Sequence, residues 1–176
     1  MKKIIFLLAA IFGLTVLQVT AMNYLKIFGV RPDLLIAFVV ITSIRLNWKI
    51  ALLFSVLAGL LKDLFGPGGS GLNIFLLPLW GYIILKISKK VSIDDSIGIC
   101  TAAFLAALLN AIATRLLYSF LGKPISLGIF LRIAFIEPLY TALSLFIFFK
   151  AADYIRHNPG LRIYVPGLFK KSDLSA

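Results

Sequence analysis

The chain has 176 residues, 61% of them hydrophobic, and its mean hydropathy is +1.02. Soluble domains contain roughly 45–50% apolar residues, so a water-soluble fold of this size could not bury so much apolar surface. The net charge of +11 would suggest nucleic acid in a soluble domain, but no DNA or RNA motif accompanies it. The composition therefore predicts an integral membrane protein with no nucleic-acid partner, whose basic residues meet lipid headgroups.

Six apolar segments predict an all-α bundle of six transmembrane helices with short loops. They lie at about 4–22, 33–45, 48–66, 71–87, 97–121 and 126–150, and together form one membrane domain over residues 1–150. The first resembles a secretory signal peptide, but it is long enough to span, so we expect an uncleaved helix. Residues 151–176 are predicted to be a basic tail along the cytoplasmic membrane surface.

The segment 33–45 is short for a span, and the distribution of positive charge decides whether it crosses. If all six cross and the N-terminus is cytoplasmic, twelve basic residues lie inside and three outside; without this span most of them move outside. The positive-inside bias therefore favours six spans with both termini cytoplasmic. The inside residues are Lys2, Lys3, Arg45, Lys49, Lys86, Lys89, Lys90, Lys150, Arg156, Arg162, Lys170 and Lys171, and the outside ones are Lys26, Arg31 and Lys123.

Metal, cofactor and catalytic sites are not expected. The single cysteine, Cys100, lies in an apolar run and the single histidine, His157, in the polar tail, so neither zinc ligation nor a Ser–His or Cys–His pair can be assembled. The glycine-rich stretch GPGGSG, residues 66–71, lacks the strand and the Gly-Lys-Ser/Thr of a phosphate loop. It is better explained as a tight turn between two spans.

Five charged residues fall inside the predicted spans, in the outer half of the bilayer: Lys62, Asp63, Arg115, Arg132 and Glu137. Intramembrane charges usually face the bundle interior and pair. We expect Asp63 or Glu137 to pair with Arg115 or Arg132. For Lys62 and Arg115 the alternative is that their side chains extend to the outer headgroups, whereas Glu137, near mid-depth, cannot do so easily.

The order of motifs near the second, third and fourth spans resembles a known family. Arg31-Pro32-Asp33-Leu34-Leu35 opens span two, Gly59 and Asp63 lie four residues apart in span three, and Gly71-Leu72-Asn73 starts span four after the glycine-rich turn. With the length and the short loops, this pattern resembles the bacterial rod shape-determining family MreD. Lys62, at a position where an apolar residue would be expected, departs from the pattern.

The resemblance implies a non-enzymatic scaffold of the cell-elongation complex in the bacterial inner membrane. Expected partners are MreC, the MreB filament, the glycosyltransferase and transpeptidase of that complex, membrane lipids and a second copy of the chain. Gly59 is expected to allow close helix approach, and Asp63 to anchor the turn by pairing with an arginine or accepting backbone N–H bonds. Asn73, at the start of span four, is a further candidate for a partner or structural contact. Asp33 suits a helix N-cap, with direct partner contact as the alternative.

Two other functions remain open at this stage. The MreD family looks related in fold to the substrate-binding components of energy-coupling-factor transporters, so a small-molecule-binding transport component is the main alternative. An outer pocket lined by Arg115, Arg132 and Glu137 would favour it, whereas Ala9-x-x-x-Gly13 in the first span departs from the Ala-x-x-x-Ala pattern of those components. A lipid-handling enzyme is the third possibility, but no nucleophile or metal site supports it.

Overall fold

A computed structural model describes residues 2–20, 24, 29–66, 71–91, 93, 95–122 and 126–157. The predicted surface tail from 158 onward and the turn at 67–70 lie outside the described residues. Six helices with described bounds, and a helical Tyr24 outside them, make the described part of the chain all-helical, as the sequence predicts. They are α1 (Lys2–Val19), α2 (Leu34–Arg45), α3 (Trp48–Phe65), α4 (Asn73–Lys90), α5 (Ser96–Phe120) and α6 (Leu127–His157).

The helices differ in length and apolar character. Within the described residues, Ser96–Phe120 and Leu127–Ala151 are long and apolar enough to cross a membrane by themselves, with mean hydropathies of 2.0 and 1.6. Ile4–Val19 and Leu34–Arg45 are apolar but shorter, and α3 and α4 carry charges near their ends. Helix α6 has 31 residues and continues past residue 150, so the first part of the predicted tail is helical.

Helix α2 is the centre of the bundle. It contacts each of the other five helices, which follow one another around it in the order α1, α3, α4, α5, α6. Its apolar residues are buried on every side, which is why Leu35 to Val40 form an uninterrupted buried run. The Phe38 ring packs edge-on against Phe54 of α3, with centroids 6.1 Å apart. A short, largely apolar segment is thus the core element of the fold.

The ring that the five described helices form around α2 is not closed. Neighbours along the ring pack against each other, but α1 and α6 make no close contact in the described ranges. Helix α6 packs only on α5 and α2 among the helices described. Between α1 and α6, the described part of the chain therefore provides no direct helix–helix packing.

Candidate functional site

The first turn of α2 is held by hydrogen bonds to side chains. Asp33 caps the helix, since its Oδ1 accepts from the Ile36 N–H at 3.1 Å. The Asp33 N–H donates to Thr141 Oγ1 of α6 at 2.8 Å, and the Leu35 N–H donates to Gln18 Oε1 of α1 at 3.2 Å. The first N–H groups of a helix have no intrahelical partner. Side chains of α1 and α6 therefore supply hydrogen-bond acceptors for two of these groups in α2. This is the capping role that the sequence predicts for Asp33.

Lys62 of α3 binds the other oxygen of the same carboxylate. Its ammonium group forms an ion pair and hydrogen bond with Asp33 Oδ2. The Asp33 side chain is 1% exposed and that of Lys62 17%, so both charges lie largely out of contact with solvent. A buried carboxylate requires such a partner. The structure therefore shows Lys62 paired inside the bundle rather than extended to the headgroups.

Asp63, the next residue, ties the end of α3 to the start of α4. Its Oδ1 accepts from Asn73 Nδ2 at 2.8 Å and its Oδ2 from the Ile74 N–H at 2.9 Å. One turn earlier, a Cβ added to Gly59 would lie 2.7 Å from Ile74 Cα, so the two helices are in backbone contact there. Of the two roles considered for Asp63, accepting a backbone N–H is confirmed, and both of its oxygens bind α4.

A cavity of about 330 Å³ lies at this end of the bundle. It exists because α2 has only 12 residues, about 18 Å of helix, so the longer helices enclose space beyond its N-terminus. All six helices contribute to the lining. Its polar and charged residues include Thr15, Gln18, Arg31, Asp33, Lys62, Asp63, Asn73, Asn110, Thr114, Tyr118 and Glu137.

Glu137 of α6 faces this cavity together with the charges of α2 and α3. It interacts electrostatically with Asp33, Lys62 and Arg31. The pairing predicted for Glu137 with Arg132 is not among these interactions, and Arg132 is not among the described residues that line the cavity. Five residues apart on one helix, the two side chains point roughly 140° away from each other, and Arg132 is exposed.

Arg115 also lies away from the carboxylates. Its guanidinium carbon is 4.3 Å from the centre of the Phe130 ring, which joins α5 to α6 by a cation–π contact. Arg115 is not among the described residues that line the cavity. The pairing expected of Arg115 with Asp63 or Glu137 is therefore replaced by stacking on an aromatic ring.

Sequence reasoning did not select several polar members of this site, which are Thr15, Gln18, Arg31, Asn110, Thr114 and Tyr118 in the cavity lining and Thr141 at the start of α2. For those within helices, the usable signal was an isolated polar residue in an apolar helix. Thr15 and Gln18 are three residues apart, which places them on one helix face, and both are buried, at 3% and 7% exposure. Thr141 is fully buried and lies one turn after Glu137.

The site offers charge and hydrogen bonding rather than an assembled reaction centre. Two cationic and three anionic side chains line the cavity. Among the residues described, no three His, Cys, Asp or Glu side chains are grouped to hold a metal. Such an arrangement can bind a polar group or fix the helix ends.

The family model for the rod shape-determining protein MreD matches residues 1–153. The chain belongs to the MreD family. The match covers all six helices except the last turn of α6. No curated protein and no solved structure matches the chain. Membership supports a role in determining rod shape and, with the two long apolar helices, location in a membrane. MreD is a shape-determining component and not a known enzyme family.

Proposed function

We propose that the chain is a non-enzymatic membrane scaffold of the cell-elongation complex, which binds MreC and helps couple MreB filaments to the enzymes of peptidoglycan synthesis. The observation that carries this proposal is the MreD match over residues 1–153. Four of the five connections between the helices have two to seven residues, which supports it because the helix faces and rims are left as binding surfaces. Large apolar side chains are exposed on every helix except α2.

The proposed topology is six crossings of the inner membrane, with both termini in the cytoplasm. The excess of basic residues on the inner side supports it, as does a first helix that packs beside α2 and α3. Reporter tags on the two ends should therefore be accessible from the same side of the membrane. Tags that report opposite sides would contradict an even number of crossings.

Assembly with MreC can be tested through the turn between α3 and α4. We expect Asp63→Ala to reduce co-purification of MreC, because the variant loses the bonds to Asn73 and Ile74 that fix this rim of the bundle. The matched control is Asp95→Ala, since Asp95 is an exposed carboxylate that makes no capping bond at the start of α5. Equal recovery of MreC with both variants, each checked for helicity, would count against the proposal.

The cavity is the one observation that favours the alternative, a small-molecule-binding transport component. Its volume of about 330 Å³ is at the lower end of the roughly 300–1,000 Å³ usual for ligand pockets. A vitamin that remains bound to the purified protein would favour the transport function. Vitamin-free protein that co-purifies with MreC would favour the scaffold.

A further inference from the structure

One side of the cavity lies between α1 and α6. Thr15, Gln18 and Val19 of α1 line it on one side and Phe130, Ile133 and Glu137 of α6 on another, yet α1 and α6 do not pack against each other in the described ranges. Of the helices that the structure describes, none packs across this side, and in a membrane a side without helix packing faces lipid. The described helices therefore leave a phospholipid a route to this space from within the bilayer.

Two of the three carboxylates in the cavity already serve the fold. The Asp33 oxygens bind the Ile36 N–H and Lys62, and the Asp63 oxygens bind Asn73 and the Ile74 N–H. Glu137 differs, because its interactions are with charged side chains rather than with a helix end. It is therefore the carboxylate best placed to meet a ligand.

The charges define which ligand fits. With Arg31, Lys62, Asp33, Asp63 and Glu137 all ionised, the lining has a formal sum of −1. A purely anionic headgroup would meet this negative excess, and a simple cation would meet Arg31 and Lys62. A group that carries both charges satisfies both sets, since its ammonium can approach Glu137 while its anionic oxygens approach Arg31 and Lys62.

The remaining lining suits the rest of such a molecule. Asn110, Thr114 and Tyr118 of α5 offer hydrogen-bonding groups, whereas Leu61, Phe65 and Ile133 add apolar surface. Polar groups on one part of a pocket and apolar side chains on another are typical of sites for amphipathic ligands. A phospholipid headgroup with its glycerol and first methylenes has this character.

We propose that the cavity binds a phosphodiester bearing a primary ammonium group, the headgroup chemistry of phosphatidylethanolamine, which enters from the bilayer between α1 and α6. The inference adds a ligand to the proposed membrane scaffold and rests on its location in a membrane. Glu137 binds the ammonium, and Arg31 and Lys62 bind the phosphate. Bound there, the lipid occupies the side between α1 and α6, where the described helices do not pack against each other.

The test measures lipid retained by the full chain. The protein is purified from nanodiscs that contain equal amounts of phosphatidylethanolamine and phosphatidylglycerol, and bound lipid is counted by native mass spectrometry. Wild type should retain one phosphatidylethanolamine in preference. Glu137→Gln should lower that preference about tenfold, the effect of losing one charge-assisted hydrogen bond. The control Asp95→Asn removes the same charge outside this cavity and should leave it unchanged.

A second variant and a soluble competitor complete the design. If Glu137→Gln fails to fold, Tyr118→Phe removes one hydroxyl from the lining and should lower the preference by a smaller factor. Displacement by glycerophosphoethanolamine would support binding of the headgroup alone, and retention of the lipid in its presence would support the membrane lipid as the ligand. Equal retention of both lipids, or a preference that no cavity variant changes, would indicate adventitious lipid only and overturn the proposal.

This experiment is independent of MreC. A chain that selects phosphatidylethanolamine but does not co-purify MreC would refute the scaffold and keep the lipid site. The opposite result would refute the lipid site and keep the scaffold.

Discussion

The cavity end of the bundle and the tight interface of α2, α3 and α4 hold their helices by different means. At the cavity end, Asp33 is bound by groups from α3 and α6, and space remains. In the tight interface, defined by Ser43, Ser55, Gly59 and Gly81, helices touch through small residues. Apolar side chains gain little by leaving lipid for another helix. Polar bonds and close backbone approach are therefore the two means available to fix a short central helix.

The largest effect is expected from Asp33→Ala, which leaves Lys62 buried without its carboxylate. Removing one partner of a buried ion pair costs about 3–5 kcal/mol, and we expect about 3 kcal/mol because Lys62 is 17% exposed and Glu137 lies near it. The free energy of unfolding in bicelles is the measurement. The double variant Asp33→Asn with Lys62→Met, which keeps a capping residue and removes both charges, should recover more than half of the loss.

Two outcomes would contradict the role given to the Asp33–Lys62 ion pair. If Asp33→Ala costs no more than Asp95→Ala, the ion pair does not position α2. If the double variant is as unstable as Asp33→Ala, the cost comes from the lost cap and not from the stranded charge.

A smaller effect is expected from Gly59→Ala in the tight interface. The new Cβ would lie 2.7 Å from Ile74 Cα and 2.8 Å from the Asn73 carbonyl carbon, so α3 and α4 must separate. Overpacking of this kind costs about 1–3 kcal/mol, measured as the free energy of unfolding. Gly13→Ala is the matched control, because nothing lies within 4 Å of its Cβ position. A result for Gly59→Ala no different from Gly13→Ala would show that close approach is not required.

Sequence reasoning reached some of these features and not others, for physical reasons. The charge bias indicated that the segment 33–45 is a helix of the bundle, and the local pattern Pro32-Asp33-Leu34 indicated a cap. Local signals of this kind depend on residues within one turn. The pairs Asp33–Lys62 and Asp33–Thr141 join residues 29 and 108 positions apart. Periodicity indicates the polar face of a helix but not which helix it meets, so these partners could not be assigned.

The same limit explains the cavity. The sequence indicated that Glu137 would not reach the headgroups, but its expected neighbours were the arginines of α5 and α6. In the structure Arg115 stacks on Phe130, and Glu137 meets charges from α3 and from the segment before α2. The cavity depends on the short length of α2 and on its central position. The length could be read from the sequence, whereas the central position could be known only from the three-dimensional arrangement.

Ser43→Ala is expected to change stability in the opposite direction. Ser43 Oγ is buried, has no hydrogen-bond partner among the residues described, and lies 3.2 Å from the Cβ position of Gly81. Removing an unsatisfied buried hydroxyl should raise the free energy of unfolding by about 1 kcal/mol. Ser55→Ala is the control, since that hydroxyl donates to the Ala51 carbonyl of its own helix at 2.7 Å and should be nearly neutral. Destabilisation by Ser43→Ala would show that the tight interface also uses polar bonds.

The smallest effect is expected from Trp80→Phe, at the border between the two regions. Trp80 Nε1 of α4 donates to Asn110 Oδ1 of α5 at 3.2 Å, and Asn110 is 5% exposed and lines the cavity. Single interhelical hydrogen bonds in membranes average about 0.6 kcal/mol. A double-mutant cycle with Asn110→Ala should give a coupling of about that size, whereas Trp48→Phe, at a ring 54% exposed, should show none with Asn110. A coupling above about 2 kcal/mol would mean that this neutral bond holds its helices as firmly as the ion pair of Asp33, and that charge is not what distinguishes the cavity end.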